Sequence, residues 1–438
     1  MVIRSFDLKA TALPSLLTTR QVTARSKAQV GIRPNRERLM HSLAEMAAIG
    51  LQPDGSVCRR GFSTEDVAGR ALLARWMNEA GLQVRIDTAG NLIGRLQGLD
   101  PDRPALMTGS HLDTVPTGGR FDGVLGVLAG LEVCRSLQDN SIRLQHDLEL
   151  IAFADEESTM VGCKGMAGTA SCDPKAYATS NREPIEDNLA RIGGHWPSLA
   201  SERRADDACA AFLELHVEQG GVLEQRGDAI GVVEGVVGQR RFSIQVDGQP
   251  NHAGTTPMTL RQDALVAASR IVLAVETMAR QHPGDPVATV GRLEVWPNAA
   301  NVVPGSVALT VDLRDVDSVV LDQLVAELMQ QVERIGAETG CPIQLEPQFE
   351  VEPTAAADGV MAAIVSAAEH LGLSHSHLPS RASHDAQEIG RRWPMGMIFV
   401  PSRGGLSHSA KEFTSDEQCW AGAAVLLETL QRLDRELP

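Results

Sequence analysis

The sequence predicts an α/β fold of two domains, in which the second domain is inserted into the first. Three features of the chain support this prediction. Its 438 residues exceed the size of one typical hydrophobic core. Apolar runs that indicate buried strands lead into polar strand-end loops and helices, as in open α/β sheets. Between residues 238 and 352 the predicted order of elements is βαββαβ, which is typical of a ferredoxin-like domain.

The N-terminal part of the chain predicts two helices and a pair of strands. Apolar residues recur at helical spacing over residues 35–49. Ser63 can cap a second helix that extends to Glu79, because a serine side chain accepts hydrogen bonds from the free N–H groups of a first turn. Residues 82–86 and 91–96 follow as strands joined by a turn.

The stretch 109–123 lies between a short apolar strand and an apolar helix, and it carries His111, Asp113 and Asp122. Loops at strand ends are where open α/β sheets place their chemistry. His111 and Asp122 can hold a metal ion, with Asp113 orienting the imidazole from behind. The alternative is a glycine-rich turn in which Asp122 only caps the following helix.

Further strand ends carry the same kinds of side chain. They bear Asp155, Glu156 and Glu157 in one loop, His216 in a second and His408 in a third. Three histidines with two carboxylates suffice for two divalent ions. A buried pair such as Glu156 and Glu157 is costly without cations, whereas beside a metal one can be a ligand and its neighbour a general base. Each residue alone is also compatible with a structural role, but their shared position favours a metal site.

The inserted stretch predicts four strands and two helices between hinges near residues 235–238 and 351–356. The strands are predicted at 241–246, 288–295, 306–313 and 343–351, and the helices at 263–280 and 319–336.

Composition excludes several classes of partner. With 40 basic and 56 acidic residues the net charge is −16, which argues against nucleic acid and anionic membranes. Seven cysteines are odd in number and form no CxxC pair, which favours a reducing cytoplasm over a disulfide framework. No apolar run is long enough for a membrane span. Roughly the first thirty residues show no signal-peptide pattern and are expected to form a loose extension.

Six motifs occur in order along the chain, at residues 109–123, 155–157, 213–220 (LELHVEQG), 251–258 (NHAGTTPM), 301–304 (NVVP) and 405–412. In their joint occurrence the chain resembles the hydantoinase/carbamoylase family of metal-dependent amidases, which belongs to the aminoacylase-like di-zinc metallopeptidase superfamily. The resemblance implies a di-metal aminopeptidase-like catalytic domain over residues 1–237 and 353–438. It also implies that the ferredoxin-like α+β domain, residues 238–352, acts as a lid and dimerisation domain.

The resemblance implies two divalent ions per subunit. Zinc is the expected metal, and manganese, cobalt or nickel are the alternatives, because imidazole and carboxylate ligands suit all four. Asp122 is implied to bridge both ions, Glu156 to act as the general base and Asp113 to orient a ligand histidine. The implied metal ligands are His111, Asp122, Glu157, His216 and His408.

The resemblance further implies substrate-binding positions at Gln219, His252, Asn301 and Arg314. The guanidinium of Arg314 is suited to a bidentate grip on a carboxylate. His252 is implied to reach into the site of a partner subunit, where it can stabilise the oxyanion of a tetrahedral intermediate.

The chain departs from the family pattern at one motif. Relatives usually read Ser-Gly-Ala-Gly-His-Asp where this chain has residues 380–385, SRASHD. The second replaced glycine, Ser383, falls where the family's backbone comes close to substrate, so its side chain either narrows the pocket or adds a hydroxyl contact. The first, Arg381, is either a new anion contact or a solvated arginine.

The function implied by the resemblance is hydrolysis of N-carbamoyl-L-amino acids to L-amino acid, ammonia and carbon dioxide by a cytoplasmic homodimer paired through the inserted domain. The alternatives are allantoate amidohydrolase and the ureidoglycolate and β-ureidopropionate hydrolases of the same family. A small-peptide or N-acyl hydrolase is disfavoured, because peptidase branches usually carry an acid at the position of His216. A non-catalytic binding protein is disfavoured by the presence of Glu156 and all five ligand positions.

Overall fold

The structure, a computed structural model, describes residues 31–201 and 203–438. Residues Arg33–Pro438 form one unit of mixed α/β structure, so the predicted α/β class is confirmed. The expected N-terminal extension lies outside the described residues. The division into a catalytic and an inserted domain stays a prediction, although the described strands do fall into separate sheets.

The helices of the described residues follow in chain order. They are α1 (Arg36–Ala47), α2 (Thr64–Glu79), α3 (Val124–Asp139), α4 (Val161–Ala167), α5 (Ile185–Arg191), α6 (Val222–Arg226), α7 (Ala264–Gln281), α8 (Ser318–Thr339), α9 (Asp358–His370), α10 (Asp385–Ile389) and α11 (Asp416–Glu436). Ser63 caps α2 as predicted, accepting the N–H of Asp66. Within the part of the chain that the structure covers, no helix has the length and apolar character required to cross a membrane.

The strands of the described residues form a nine-stranded sheet, a four-stranded sheet and a two-stranded ribbon. They are β1 (Gln83–Ile86), β2 (Leu92–Leu96), β3 (Ala105–His111), β4 (Leu148–Phe153), β5 (Cys209–Val217), β6 (Ile230–Val236), β7 (Gly238–Asp247), β8 (Asn251–His252), β9 (Val287–Trp296), β10 (Val302–Val303), β11 (Ser306–Asp315), β12 (Ile343–Val351), β13 (Thr354–Ala355), β14 (His375–Ser380) and β15 (Met395–Val400).

The larger sheet has the order β1-β2-β4-β3-β5-β15-β6-β13, with β14 paired to β6. Its central strands β4, β3, β5 and β15 are mutually parallel. They are buried along nearly their whole length because helices cover the sheet, with α3 packed on β3 and β5 and α11 packed on β15. Parallel strands end at the same edge, so the loops that follow these four strands meet there.

The smaller sheet has the order β12-β7-β11-β9, and all of its pairings are antiparallel. Helices α7 and α8 pack on one face of the sheet and share an apolar core with it. Along β7 and β11 buried residues alternate with partly exposed ones, which is the pattern of a sheet covered on one face only. The chain order β7-α7-β9-β11-α8-β12 is the βαββαβ order expected for residues 238–352.

The chain passes between the two sheets at two points that lie side by side. The carbonyls of Val237 and Glu352 both accept a hydrogen bond from the side-chain amide of Gln387, at 3.1 and 3.4 Å. Gln387 is a buried residue of α10, and Arg391 donates to the Glu352 carbonyl as well. The side chain of Gln387, on α10, therefore holds both of the segments that pass between the two sheets.

Candidate metal centre

His111 and His216 both direct Nε2 into the space at the edge where the parallel strands end. Nδ1 of His111 donates to the backbone carbonyl of Asp113 at 2.9 Å, and Nδ1 of His216 donates to that of Val217 at 2.8 Å. These bonds turn Nε2 of each ring toward the shared space as the potential ligand atom. In the structure, His216 Nε2 accepts the N–H of Gly123 at 3.1 Å. Both rings are buried, so neither Nε2 faces bulk water.

The carboxylate of Asp122 lies between two groups of potential ligands. Its Oδ1 is 3.2 Å from His216 Nε2 and 3.8 Å from His111 Nε2. Its Oδ2 is 3.3 Å from His408 Nε2, which is itself 3.6 Å from Glu157 Oε1. Two sets of three residues that could hold an ion therefore share Asp122: one with His111 and His216, the other with Glu157 and His408.

These donor sets fit the expected metals. Each set offers imidazole nitrogen and carboxylate oxygen, with ligand atoms within 4.8 Å of one another. Asp122 is buried, which raises its pKa, but His216 and His408 outweigh burial and hold that pKa well below its ordinary value. Asp122 is therefore ionised and able to serve both sets of ligands. The structure thus brings all five predicted ligands together, and their role as ligands stays a prediction.

Gly123 allows the loop to close over His111. It has φ +66°, and a Cβ at this position would lie 2.4 Å from the imidazole ring. Any other residue would have to displace the ring, so the glycine that starts α3 is required by close approach as well as by its backbone conformation.

The side chain of Asp113 holds the turn that carries Glu156 and Glu157. Its carboxylate accepts the N–H groups of Glu156 and Glu157 at 3.3 and 3.1 Å. Its Oδ1 is 3.8 Å from His111 Nδ1, and the closer acceptor for that nitrogen is the Asp113 carbonyl. Asp113 therefore faces His111 mainly through its main chain, a division of roles that the residue pattern does not reveal.

Glu156 is buried, and its Oε2 lies 3.7 Å from His111 Nε2. Burial, followed by the neighbouring Glu157 carboxylate, raises the pKa of Glu156 well above its ordinary value, and burial raises the pKa of Glu157 to about 7. A carboxylate with a raised pKa accepts and returns a proton near neutral pH. This environment suits the predicted general base.

Gln219 joins the substrate-binding prediction to the metal centre. Its side-chain nitrogen donates to Asp122 Oδ2 at 2.9 Å and to Ser407 Oγ at 3.2 Å. The residue has φ +58°, and its backbone N–H donates to Ser402. Its buried Oε1 has no hydrogen-bond partner among the described residues. A buried acceptor left without a partner is costly, and a substrate N–H that reached this oxygen would satisfy it.

Two residues that hold the ligand loops were not singled out from the sequence. The buried carboxylate of Glu412 accepts the N–H groups of Phe121 and Asp122 at 2.8 and 3.2 Å. Ser407 donates to Asp122 Oδ2 at 3.0 Å and lies 3.4 Å from Glu412 Oε2. Because both follow β15, they tie the loop of His408 to the loop of Asp122. A signal was present, since Glu412 ends the sixth motif.

A buried polar layer lies beside His216 and was also missed. The ring of His384 stacks edge-on against His216 with centroids 4.5 Å apart. Glu214 accepts bonds from Ser110 and from the N–H of Ala386. Their positions place α10, which follows His384 directly, against the metal centre.

The other predicted substrate positions lie on different elements. His252 and Asn301 are neighbours, because β8 pairs with β10 and the Asn301 carbonyl accepts the N–H of Ala253. His252 is exposed, and its Nδ1 accepts the N–H groups of Gly254 and Thr255 in its own loop. Its Nε2 is left for another partner.

Within the described residues, no contact joins Arg314 or Ser383 to any of the five predicted ligands. Arg314, near the end of β11, bonds to Asp312 and to the carbonyl of Arg381. Ser383 is exposed two residues further on, immediately before His384. The structure thus brings Arg314 to the segment that departs from the family pattern.

The described residues form a mixed α/β fold with a cluster of histidines and carboxylates at its strand ends, and comparison with known proteins shows the class of protein to be a hydrolase. Residues 107–432 match the family described as Peptidase family M20/M25/M40, and the chain belongs to that family.

Within it, relatives with amidase names cover nearly the whole chain. N-carbamoyl-L-amino acid amidohydrolase of Geobacillus stearothermophilus is 39% identical over 91% of this chain and 98% of that protein. Allantoate amidohydrolase of Bacillus subtilis is 35% identical over 89% of this chain and 95% of that protein. The crystal structure of a hydantoinase/carbamoylase family amidase from Burkholderia multivorans has a TM-score of 0.87 and 40% identity, covering 92% and 98% of the chains. The resemblance inferred from the six motifs is therefore confirmed.

Proposed function

We propose that the chain hydrolyses the carbamoyl C–N bond of N-carbamoyl-L-amino acids. One water is consumed, and the products are the L-amino acid, ammonia and carbon dioxide. The observation that carries this proposal is the position of Asp122 between two sets of ligands, with Glu156 beside one of them. The name of the Geobacillus relative supports the choice of substrate.

In this proposal two divalent ions per subunit are held by the five predicted ligands, with zinc expected and manganese, cobalt or nickel as alternatives. Such ions supply Lewis acidity, which activates water and polarises the carbamoyl carbonyl. Glu156 takes a proton from the attacking water and returns it to the leaving amine. Asp113 holds the turn that aims Glu156, through the hydrogen bond to its N–H group.

Substrate recognition is assigned to four further residues. Arg314 binds the substrate carboxylate, and the free oxygen of Gln219 accepts an N–H group of the ureido unit. Asn301 and Ser383 contact the rest of the substrate. The location proposed for this enzyme is the cytoplasm, in keeping with seven cysteines that are all free thiols.

Ammonia release from a panel of ureido compounds tests the function. We expect turnover of N-carbamoyl-L-amino acids and little or none of their D-enantiomers. With the carboxylate at Arg314 and the ureido group at the metal centre, the side chain of the D-enantiomer would lie where the L-enantiomer carries hydrogen. Allantoate, ureidoglycolate and N-carbamoyl-β-alanine belong in the same panel. Faster hydrolysis of allantoate would assign the chain to the activity named for the Bacillus relative, and absence of turnover for every ureido compound would contradict the proposal.

We also propose that the active protein is a homodimer in which His252 completes the site of the partner subunit. Three observations support this. Among the described residues the Nε2 of His252 has no hydrogen-bond partner, its loop belongs to residues 238–352, and Met258 and Leu260 just after it have 74% and 73% of their surfaces accessible. Exposed apolar residues beside a functional loop are typical of a protein interface.

Mixing two inactive variants tests the shared site. His252→Ala and Glu156→Gln are each expected to be inactive as homodimers, whereas subunit exchange should restore activity, because one site of the heterodimer then carries both intact residues. Differently tagged copies of each variant provide the control that exchange has occurred. A mixture that exchanges subunits and stays inactive would show that each chain uses its own His252.

A further inference from the structure

Arg381 joins the two parts of the chain that belong to different sheets. It lies between β14 and α10, and its Nη2 donates to the carbonyl of Asp285 at 2.8 Å and to Asp285 Oδ2 at 2.6 Å. Asp285 lies between α7 and β9, within residues 238–352. The side chain of Arg381 is thus engaged by the stretch predicted to form the inserted domain, and it is not a freely solvated arginine.

The same short segment also receives Arg314. Nη1 of Arg314 donates to the carbonyl of Arg381 at 2.9 Å, and its Nε donates to Asp312 Oδ1 at 2.8 Å. The other carboxylate oxygen of Asp312 accepts two bonds from Arg241, at 2.8 and 3.0 Å. One carboxylate therefore serves two arginines, so these three groups together carry one net positive charge.

These contacts leave Nη2 of Arg314 for a ligand. Its Nε is directed to Asp312 and one N–H of Nη1 to Arg381, so the described contacts use neither N–H of Nη2. These groups can donate to a carboxylate. The Arg381 carbonyl thereby helps to set the direction in which Arg314 can bind.

A cavity of about 540 Å³ lies beside the ion pair of Arg381 and Asp285. Gln219, Arg381 and Asp285 are all among its lining residues. Gln219 is the residue that donates to Asp122, so the cavity reaches from the ion pair to a neighbour of the predicted ligands. The five predicted ligands and Arg314 are not among its lining residues. Its volume is within the range of small-molecule sites.

We propose that Arg381 is a positioning residue for recognition of the substrate carboxylate. Its ion pair with Asp285 holds the segment whose carbonyl orients Arg314, on the wall of the cavity that leads to Gln219. This inference rests on the proposed function, since it takes Arg314 as the carboxylate-binding residue. A glycine at position 381, as in the usual family motif, retains the carbonyl but has no side chain to pair with Asp285.

We expect loss of the ion pair between Arg381 and Asp285 to raise KM by a moderate factor. Asp285 is almost fully exposed, with 97% of its side chain accessible, and exposed ion pairs are weak and screened by salt. We expect Arg381→Gly to raise KM for N-carbamoyl-L-amino acids about three- to five-fold while kcat changes less than two-fold. The difference in KM should shrink in high salt, because the wild-type pair is then screened.

Three further variants separate this role from a loss of local structure. Asp285→Asn should raise KM to a similar extent without touching the 381 segment. The double variant Arg381→Asp with Asp285→Arg should restore KM toward the wild-type value, because the reversed charges pair again. Arg314→Ala is the reference for complete loss of carboxylate binding and should raise KM far more, but much less for a carboxamide analogue.

The outcomes distinguish this inference from the proposed function. If the wild type hydrolyses no ureido compound, the proposed function fails. If the wild type is active and Arg314→Ala raises KM, but both Arg381→Gly and Asp285→Asn retain wild-type KM values, the positioning role of Arg381 is wrong. A fall in kcat at constant KM, or a reversed pair no better than either single variant, would overturn it as well.

Discussion

Removal of divalent ions by a chelator is expected to abolish hydrolysis, and zinc, manganese, cobalt or nickel to restore it. Without cations the carboxylates of Glu156 and Glu157 are costly to ionise, because burial, and after it the neighbouring carboxylates, raise their pKa values. Bound ions reverse that situation and supply the Lewis acidity that cleavage of an unactivated ureido bond requires.

The measurement is metal content by elemental analysis together with ammonia release, before and after chelation. We expect two ions per chain, because Asp122 is shared by two sets of ligands. His408→Ala should lose one of them, whereas His41→Ala, a substitution of an exposed residue of α1, should keep both. Full activity in protein shown to contain no metal would disprove the proposed chemistry.

Replacement of Glu156 by glutamine is expected to lower turnover by about 10²–10⁴-fold while both ions remain bound. Glutamine has nearly the same shape as glutamate but cannot take a proton from water. The substitution also removes a buried carboxylate whose charge is disfavoured by its surroundings, so the folded state should not be destabilised.

Glu157→Gln provides the matched comparison, because the two residues are adjacent but face different groups. Glu157 lies 3.6 Å from His408, so its substitution should reduce metal content as well as activity. Pre-steady-state kinetics and metal analysis of the two variants distinguish the roles. Loss of metal from Glu156→Gln with retention in Glu157→Gln would show that the ligand and the base have been exchanged.

The metal centre could be predicted from the sequence because its parts obey local rules. An apolar run such as Leu148–Phe153 indicates a buried strand, and in a parallel sheet the polar residues at or just beyond the ends of such strands lie at the same edge. His111, Glu157 and His216 satisfy that rule, so their proximity follows from the order of strands. The βαββαβ order of residues 238–352 could be predicted because the apolar residues of each strand and helix recur with a regular local period.

Other features depend on contacts that no local pattern encodes. Glu412 binds the N–H of Phe121 across 291 positions of the chain, and although both lie in motifs, no local pattern shows that the two motifs are in contact. The strand β14, with the sequence HSHLPS, lacks the apolar alternation that indicates a strand and is formed by its pairing with β6. Whether Arg381 meets solvent or an anion depends on Asp285, which is 96 residues away.

The paired crossing points at Val237 and Glu352 also bear on how such a chain can be rearranged. Because both carbonyls lie within 3.4 Å of one amide nitrogen, the segment between them leaves and re-enters the larger sheet at almost the same place. A gene lacking that segment would need only a tight turn to reconnect the remainder. Other folded domains whose termini lie close together could therefore be inserted at this position by recombination. The sheet that carries the histidines would not have to change.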